Sequence, residues 1–336
     1  MLHVTNGDSA AELIAGSGLP GTVLPWRDVL HEGPIPAGLS LDELRDVRAR
    51  FIADRGWGTH ARVLADLAQR DETLAAFREH EEVVLWFEHD LYDQLQLLQI
   101  LDWFAGQTRG ATALSLICIG TFPDVAPFHG LDQLTAAQIA SLFPTRRPVT
   151  TEQLNLARAA WTAIRSSDPT DVERIIRGET RSLSFLRQAL IRFLEEYPGL
   201  RGGLSRTERQ VLEELCTDNR TPVELFRASV DREERPFLGD LTFWTQLRGL
   251  AAGSFPLLAP LDGTRLAGPP QDQDPAHFAH QPLAVTDQGR AVVAGEADLV
   301  MLNGIDRWLG GVHLEGHIVS WRWDDSVTPA RLLRVA

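Results

Sequence analysis

Residues 82–106 constrain the fold of this chain more than any other stretch. Val83-Val84-Leu85-Trp86-Phe87 is a short apolar run rich in β-branched and aromatic residues, which reads as a buried strand. Glu88-His89-Asp90-Leu91-Tyr92-Asp93-Gln94 follows at once, and Leu95, Leu97, Leu98, Leu101 and Phe104 then recur at helical spacing. The polar cluster therefore occupies a strand-to-helix turn. In an open α/β sheet such turns lie at the carboxyl edge of the strands, where these folds place their ligands. Three carboxylates and a histidine within six residues exceed what a helix cap needs.

The same grammar repeats through the first 130 residues. Residues 2–5 read as a strand, 6–9 as a turn and 10–15 as a helix; 22–25 is a second strand, left by the polar loop 26–34. Helices are predicted over 41–54 and 59–80, with Ser40 and Thr59 as N-caps, and a fourth strand over 113–119 ends in residues 120–124. Strands alternating with helices and joined by long crossovers imply a mostly parallel, doubly wound sheet of Rossmann or flavodoxin-like character. The clusters 6–9, 26–34, 88–94 and 120–124 each follow a strand, so a parallel sheet brings all four to one edge. Gly16-Ser17-Gly18-Leu19-Pro20-Gly21 has the letters of a dinucleotide fingerprint, but it closes a helix and precedes a strand, the reverse of what that motif requires.

Residues 131–200 read as a helical connector, with helices at 135–143, 151–165, 171–178 and 182–197 punctuated by prolines. From 201 to 336 the order is that of a winged-helix-like α+β domain: helices at 205–215, 221–228 and 240–251, a strand at 255–259, a polar loop to about 280, a strand at 283–286, a helix from 287, and a Trp-rich tail. The third helix is filled by Leu241, Phe243, Trp244, Leu247 and Leu250, with Arg248 its only cation. Groove-reading helices present Arg, Lys, Asn or Gln to base edges, so a structural or protein-contact use is favoured over DNA recognition.

Composition narrows the chemistry. The 336 residues, 44% of them hydrophobic, are enough for two domains with substantial cores. The net charge of −14 repels nucleic acid and anionic lipid. It is uneven: residues 1–130 hold 9 Arg against 19 acids, residues 131–200 hold 9 against 8, and the remainder 14 against 19. All 32 basic residues are Arg, which removes lysine Schiff-base and P-loop chemistry. Cys118 and Cys216 lie in separate predicted domains and form neither a disulfide framework nor a thiolate metal site. No stretch approaches the roughly 18 apolar residues of a membrane span, and a cytoplasmic location without membrane partners is expected. The oligomeric state is not encoded in any pattern.

Asn6-Gly7-Asp8-Ser9, Trp26-Arg27-Asp28-Val29-Leu30-His31-Glu32-Gly33-Pro34, residues 86–94 and the tail's Asp306-Arg307-Trp308-Leu309-Gly310-Gly311 together resemble the bacterial family built on domain of unknown function 1835. The resemblance covers most of the chain and implies no particular activity.

Each cluster carries a bland and a functional reading. Asp8 and Ser9 either cap a helix or react beside amides that hold an anion, with Asn6 and Gly7 as ligand contacts. Gly7-Asp8-Ser9 shares the letters of the first block of Gly-Asp-Ser esterases, and Asp28-Val29-Leu30-His31 those of their last, but the latter comes too early and no Gly-x-Asn block intervenes. Arg27, with Asp28 and His31 beside it, is either an ion-paired loop or an anion clamp. Asp90 is a good N-cap, whereas Glu88 beside the buried strand is a general acid or base with His89 its partner. His89 and Asp93, four apart, make a divalent-metal pair if the helix starts early. Arg307 is a further ligand contact or an ion-pair partner. The expected function is binding of a small, phosphorylated or nucleotide-like molecule, with hydrolysis by acid–base or metal-assisted chemistry through Asp8, Ser9, Asp28, Glu88, His89 and Asp90. The alternative is a ligand-sensing transcriptional regulator or protein-interaction module acting through the winged helix.

Overall fold

The computed structural model describes residues 1–267 and 275–335. Six strands belong to its first half: β1 (Leu2–Asn6), β2 (Thr22–Trp26), β3 (Gly33–Pro34), β4 (Glu82–Phe87), β5 (Ala113–Cys118) and β6 (Arg147–Pro148). All but β3 form one sheet in the order β2-β1-β4-β5-β6, in which the first four strands run parallel and β6 is an antiparallel edge. Val4 stands opposite both Leu24 and Leu85, and Trp86 opposite both Thr5 and Ile117. The strand order reverses between β1 and β4, so the topological switch point lies where the polar turns 6–9 and 88–94 leave the sheet.

Helices cover both faces, as an apolar parallel sheet requires. They are α1 (Asp8–Gly16), α2 (Leu41–Asp54), α3 (His60–Ala75), α4 (Leu91–Ala105), α5 (Ala136–Leu142), α6 (Thr151–Arg165), α7 (Thr170–Arg177) and α8 (Leu186–Leu194). Ala10 and Ile14 of α1 and Ile139 of α5 pack on Val84, Trp86 and Ile117 on one face; on the other, α4 buries Leu95, Leu98 and Leu101. Trp86 and Phe87 are fully buried, worth about 2–3 kcal/mol each. Ser40 caps α2 in a reciprocal box with Glu43, and Asp90 caps α4 by accepting from the Asp93 amide. Of the helices expected as a connector, α6, α7 and α8 share the first core, since Ala157, Ala160, Trp161, Val172, Leu190 and Phe193 join the residues of α4, whereas α5 packs with α1 on the other face. The helices α6 and α8 form a second layer behind α4.

A separate core gathers the winged-helix-like part: α9 (Arg206–Thr217), α10 (Pro222–Arg232), α11 (Asp240–Leu250), β7 (Leu258–Pro260), α12 (Pro275–His280), β8 (Leu283–Val285) and α13 (Asp287–Ala294). Strands β7 and β8 pair antiparallel behind the three helices, and Leu212, Leu225, Phe243, Leu247 and Leu283 fill the interior. The tip of the loop expected before residue 280, residues 268–274, lies outside the described residues. After α14 (Leu299–Asn303) the chain returns to the first core. Here β9 (Ile305–Gly310) and β10 (Val312–Gly316) form a hairpin, β9 pairs parallel with β3, and β11 (Trp321–Asp324) pairs with β12 (Arg331–Arg334). Leu309, Leu314, Trp323 and Leu332 are buried with the sheet and α4. Among the described residues no helix is long and apolar enough to cross a membrane.

Candidate functional site

Strands β1, β2 and β4 end at one edge, and the turns that leave them surround a cleft of ≈ 710 Å³. Asn6, Gly7, Asp8 and Ser9 line it from the first turn, Val29 and His31 from the second, and Glu88, Asp90 and Tyr92 from the third. Gly7 is the N-cap of α1 with φ 44°, a left-handed backbone that favours glycine, and no side chain caps this helix. The first amides of α1 are therefore left to the cleft. The opposite wall is the winged-helix-like unit, through Phe226 and Val230 of α10 and residues 236–242 leading into α11.

The floor is acidic. Carboxylate oxygens of Glu88, Asp90 and Asp93 lie within 4.8 Å of one another, and all three residues are buried. Backbone amides fix them: Leu131 N donates to Glu88 Oε1 (2.7 Å), Glu88 N to Asp93 Oδ2 (2.7 Å), and Asp93 N to Asp90 Oδ1 (3.1 Å). The Asn6 amide also donates to Glu88 Oε1 at 3.4 Å. Burial, reinforced by the charge of Asp90, pushes Glu88 up to about 8. Burial pushes Asp90 up to about 7, against the pull of backbone donors. Asp93 is raised well above the carboxylate range by burial and by both neighbours.

Its neighbour His89 points elsewhere. The ring lies 6.0 Å from that of Phe128 and 5.9 Å from that of Phe185, and burial lowers it to about 4. The His89–Asp93 metal pair and the His89–Glu88 proton pair expected from the sequence are thus replaced by a cluster of three carboxylates. The reason is the helix start: with Asp90 as N-cap, His89 precedes the first turn and leaves on the other side of the chain.

Asp28 is also placed differently from the expectation. It is almost fully buried and accepts from two nitrogens of Arg48 of α2, from Nη2 at 2.7 Å and from Nε at 3.0 and 3.3 Å. It holds the loop 26–34 onto α2 and does not line the cleft. Arg27, expected as the anion clamp, spends its planar fork on Asp8, with Nη2–Oδ1 at 2.5 Å and Nε–Oδ1 at 2.8 Å, both side chains being exposed. Arg307 lies behind the cleft in a smaller cavity of ≈ 180 Å³, paired with Glu208 and donating to the Glu196 carbonyl.

His31 lines both cavities, and neither ring nitrogen has a partner. Phe237 meets its ring edge-on at 5.2 Å and Tyr92 at 5.9 Å. Burial drives its pKa down to about 3, so the imidazole is neutral with one N–H and one lone pair unspent.

The cluster expected at 120–124 does not reach the cleft. Residues farther along the same connection do, in the form of His129, Asp132 and Gln133. Sequence reasoning missed these because the polar run was ended at the first proline-rich turn. It also missed Trp57 and the 236–242 wall, which is mostly apolar and follows no strand of the sheet. Compared with known proteins, the chain matches no family model and no curated sequence.

Proposed function

We propose that this protein binds a small phosphorylated or nucleotide-like molecule in the cleft at the carboxyl edge of the sheet and hydrolyses it with the help of Glu88 and Asp90. The observation that carries the reading is the convergence itself. Three turns far apart in sequence meet around one cleft whose walls hold unspent hydrogen-bonding capacity at His31 and at the uncapped start of α1. A helix N-terminus favours an anionic group, and His31 offers a neutral donor or acceptor beside it. The buried carboxyls below are placed to take or give a proton, or to hold a cation that polarises the scissile bond.

The test is a thermal-shift screen of nucleotides and phosphate esters, followed by product assays on every compound that stabilises the fold. A stabilising ligand whose effect is lost in His31→Ala, and whose turnover is lost in Glu88→Gln, is expected. Absence of any stabilising compound across the panel, or hits unaffected by both substitutions, overturns the proposal.

A second reading is favoured by one observation: a ligand in this cleft touches the winged-helix-like unit as well as the sheet, through Phe237 and residues 238–242. Occupancy then alters what that unit presents to a partner. Among the residues of α11, Asp240, Leu241 and Gly249 are exposed and its one arginine, Arg248, is half-buried, which makes a protein the better partner than DNA. Pull-down and gel-shift assays with and without a thermal-shift hit separate the two readings, and ligand-independent results in both remove the second.

A further inference from the structure

We infer that Glu88, Asp90 and Asp93 are the ligands of a hard divalent cation of the Mg²⁺ or Mn²⁺ class at the floor of the cleft, where it bridges the protein to the anionic group of the bound molecule. This rests on the cleft being the binding site and adds the identity of the group that makes an anion acceptable there.

The first argument is electrostatic. Asp8, Glu88, Asp90, Asp132 and Asp240 line the cleft, and no arginine is among its described lining residues. The chain has no lysine to supply the missing charge. Among the described residues no ion pair reaches Glu88, Asp90 or Asp93. Arg235, which favours the charged form of Asp90, donates to the His89 carbonyl instead. A phosphate approaching this floor meets acidic groups and no arginine of the cleft lining unless a cation stands between.

The second argument is an orphaned atom. Asp93 is 0% exposed, and its Oδ1 has no hydrogen-bond partner although Oδ2 is held by the Glu88 amide. A buried carboxylate oxygen with no donor is costly, and it belongs to a residue that contributes one of the three oxygens lying within 4.8 Å of one another. Oxygens sharing one cation at 2.0–2.6 Å stand about 3–5 Å apart, which is the spacing found.

The third argument is room and rigidity. A Cβ on Gly130 would stand 2.7 Å from Glu88 Oε2, so any larger residue there would press the carboxylate out of its present place. One oxygen of each carboxylate is fixed by a backbone amide, a preorganised shell that leaves the other oxygens of Glu88 and Asp93 for an ion. An all-oxygen set selects Mg²⁺, Mn²⁺ or Ca²⁺ over softer metals. Water and the bound molecule complete the coordination from the open side.

Manganese binding to the chelator-treated, ligand-free full chain tests this, followed by electron paramagnetic resonance and calorimetry. One Mn²⁺ per chain is expected, displaced by excess Mg²⁺, with affinity reduced at least tenfold in Asp93→Asn and in Asp90→Asn and unchanged in Asp42→Asn, which alters an acid outside the site. Melting curves show whether each variant is folded, and the wild-type titration stands without them. Failure of the wild type to bind Mn²⁺, or equal binding in all variants, overturns the inference. If Mn²⁺ fails to bind but nucleotides still stabilise the fold, the inference falls and the proposed function stands; if Mn²⁺ binds but no nucleotide or phosphate ester stabilises the fold with or without it, the metal site stands and the proposed function falls.

Discussion

His31 shows how much of the site depends on a single side chain's surroundings. Its ring is buried between Tyr92 and Phe237 and faces Glu196, Arg48, Arg192 and Asp28, and burial outweighs the acids. The pKa is about 3 in the fold against 6.5 for an unperturbed histidine. The neutral ring's contribution to stability is therefore complete above pH 6.5 and is lost as pH falls toward 3, at about 1.4 kcal/mol per unit. Urea unfolding of wild type and His31→Phe is expected to give a difference that is constant above pH 7 and moves against the wild type by about 2 kcal/mol at pH 5. Parallel curves would show that the ring is not held neutral. The carboxylates divide in the same way. Removing Asp28 strands the buried Arg48 guanidinium, so Asp28→Ala is expected to cost about 3–5 kcal/mol in denaturant unfolding. Asp8→Ala breaks an exposed pair and costs less than about 1 kcal/mol. In sequence Asp28 and Glu88 are alike, each an acid at the end of an apolar strand. What separates them is Arg48, a helix residue 20 positions on from Asp28, and no local pattern shows which acid it reaches.

Elements were legible where periodicity is long. The strand at residues 82–87 and the helix after it follow from an apolar run and a 3.6-residue repeat, and the shared edge of the turns follows from parallel pairing. Short or non-local elements were not. Arg147 and Pro148 form β6 with neither alternation nor β-branching, and Gly33-Pro34 becomes β3 only because Leu309 and Gly310 arrive beside it from the far end of the chain. The connection after β5 is similar: its site residues are set by Gly130 approaching Glu88, which no spacing reveals. Gly130→Ala is expected to weaken Mn²⁺ binding about tenfold or more while lowering stability by only about 1–3 kcal/mol, the usual range for overpacking. Unchanged Mn²⁺ affinity in a folded Gly130→Ala protein would show that the Glu88 carboxylate has room to move and that its position is not set by this glycine.

Across the whole molecule, two cores meet over one cleft. The first core is closed by the C-terminal strands, and the second supplies the cleft's outer wall. Of the three parts read from the helix and strand pattern, the tail and most of the connector bury apolar surface in a core that begins at Leu2. Deletion of residues 305–336 uncovers that core, and the shortened chain is expected to lose its cooperative melting transition and to bind a hydrophobic dye. The net charge of −14 bears on the proposal: the surface repels polyanions, and the proposed anionic ligand requires one place where backbone amides and the proposed cation would offset the field. The most direct measurement is calorimetric titration of the best nucleotide or phosphate ester into the full chain with and without Mn²⁺, in wild type, His31→Ala and Asp90→Asn. Tight binding only with Mn²⁺, weakened at least tenfold by either substitution, is the result expected; binding indifferent to Mn²⁺ and to both substitutions would contradict it.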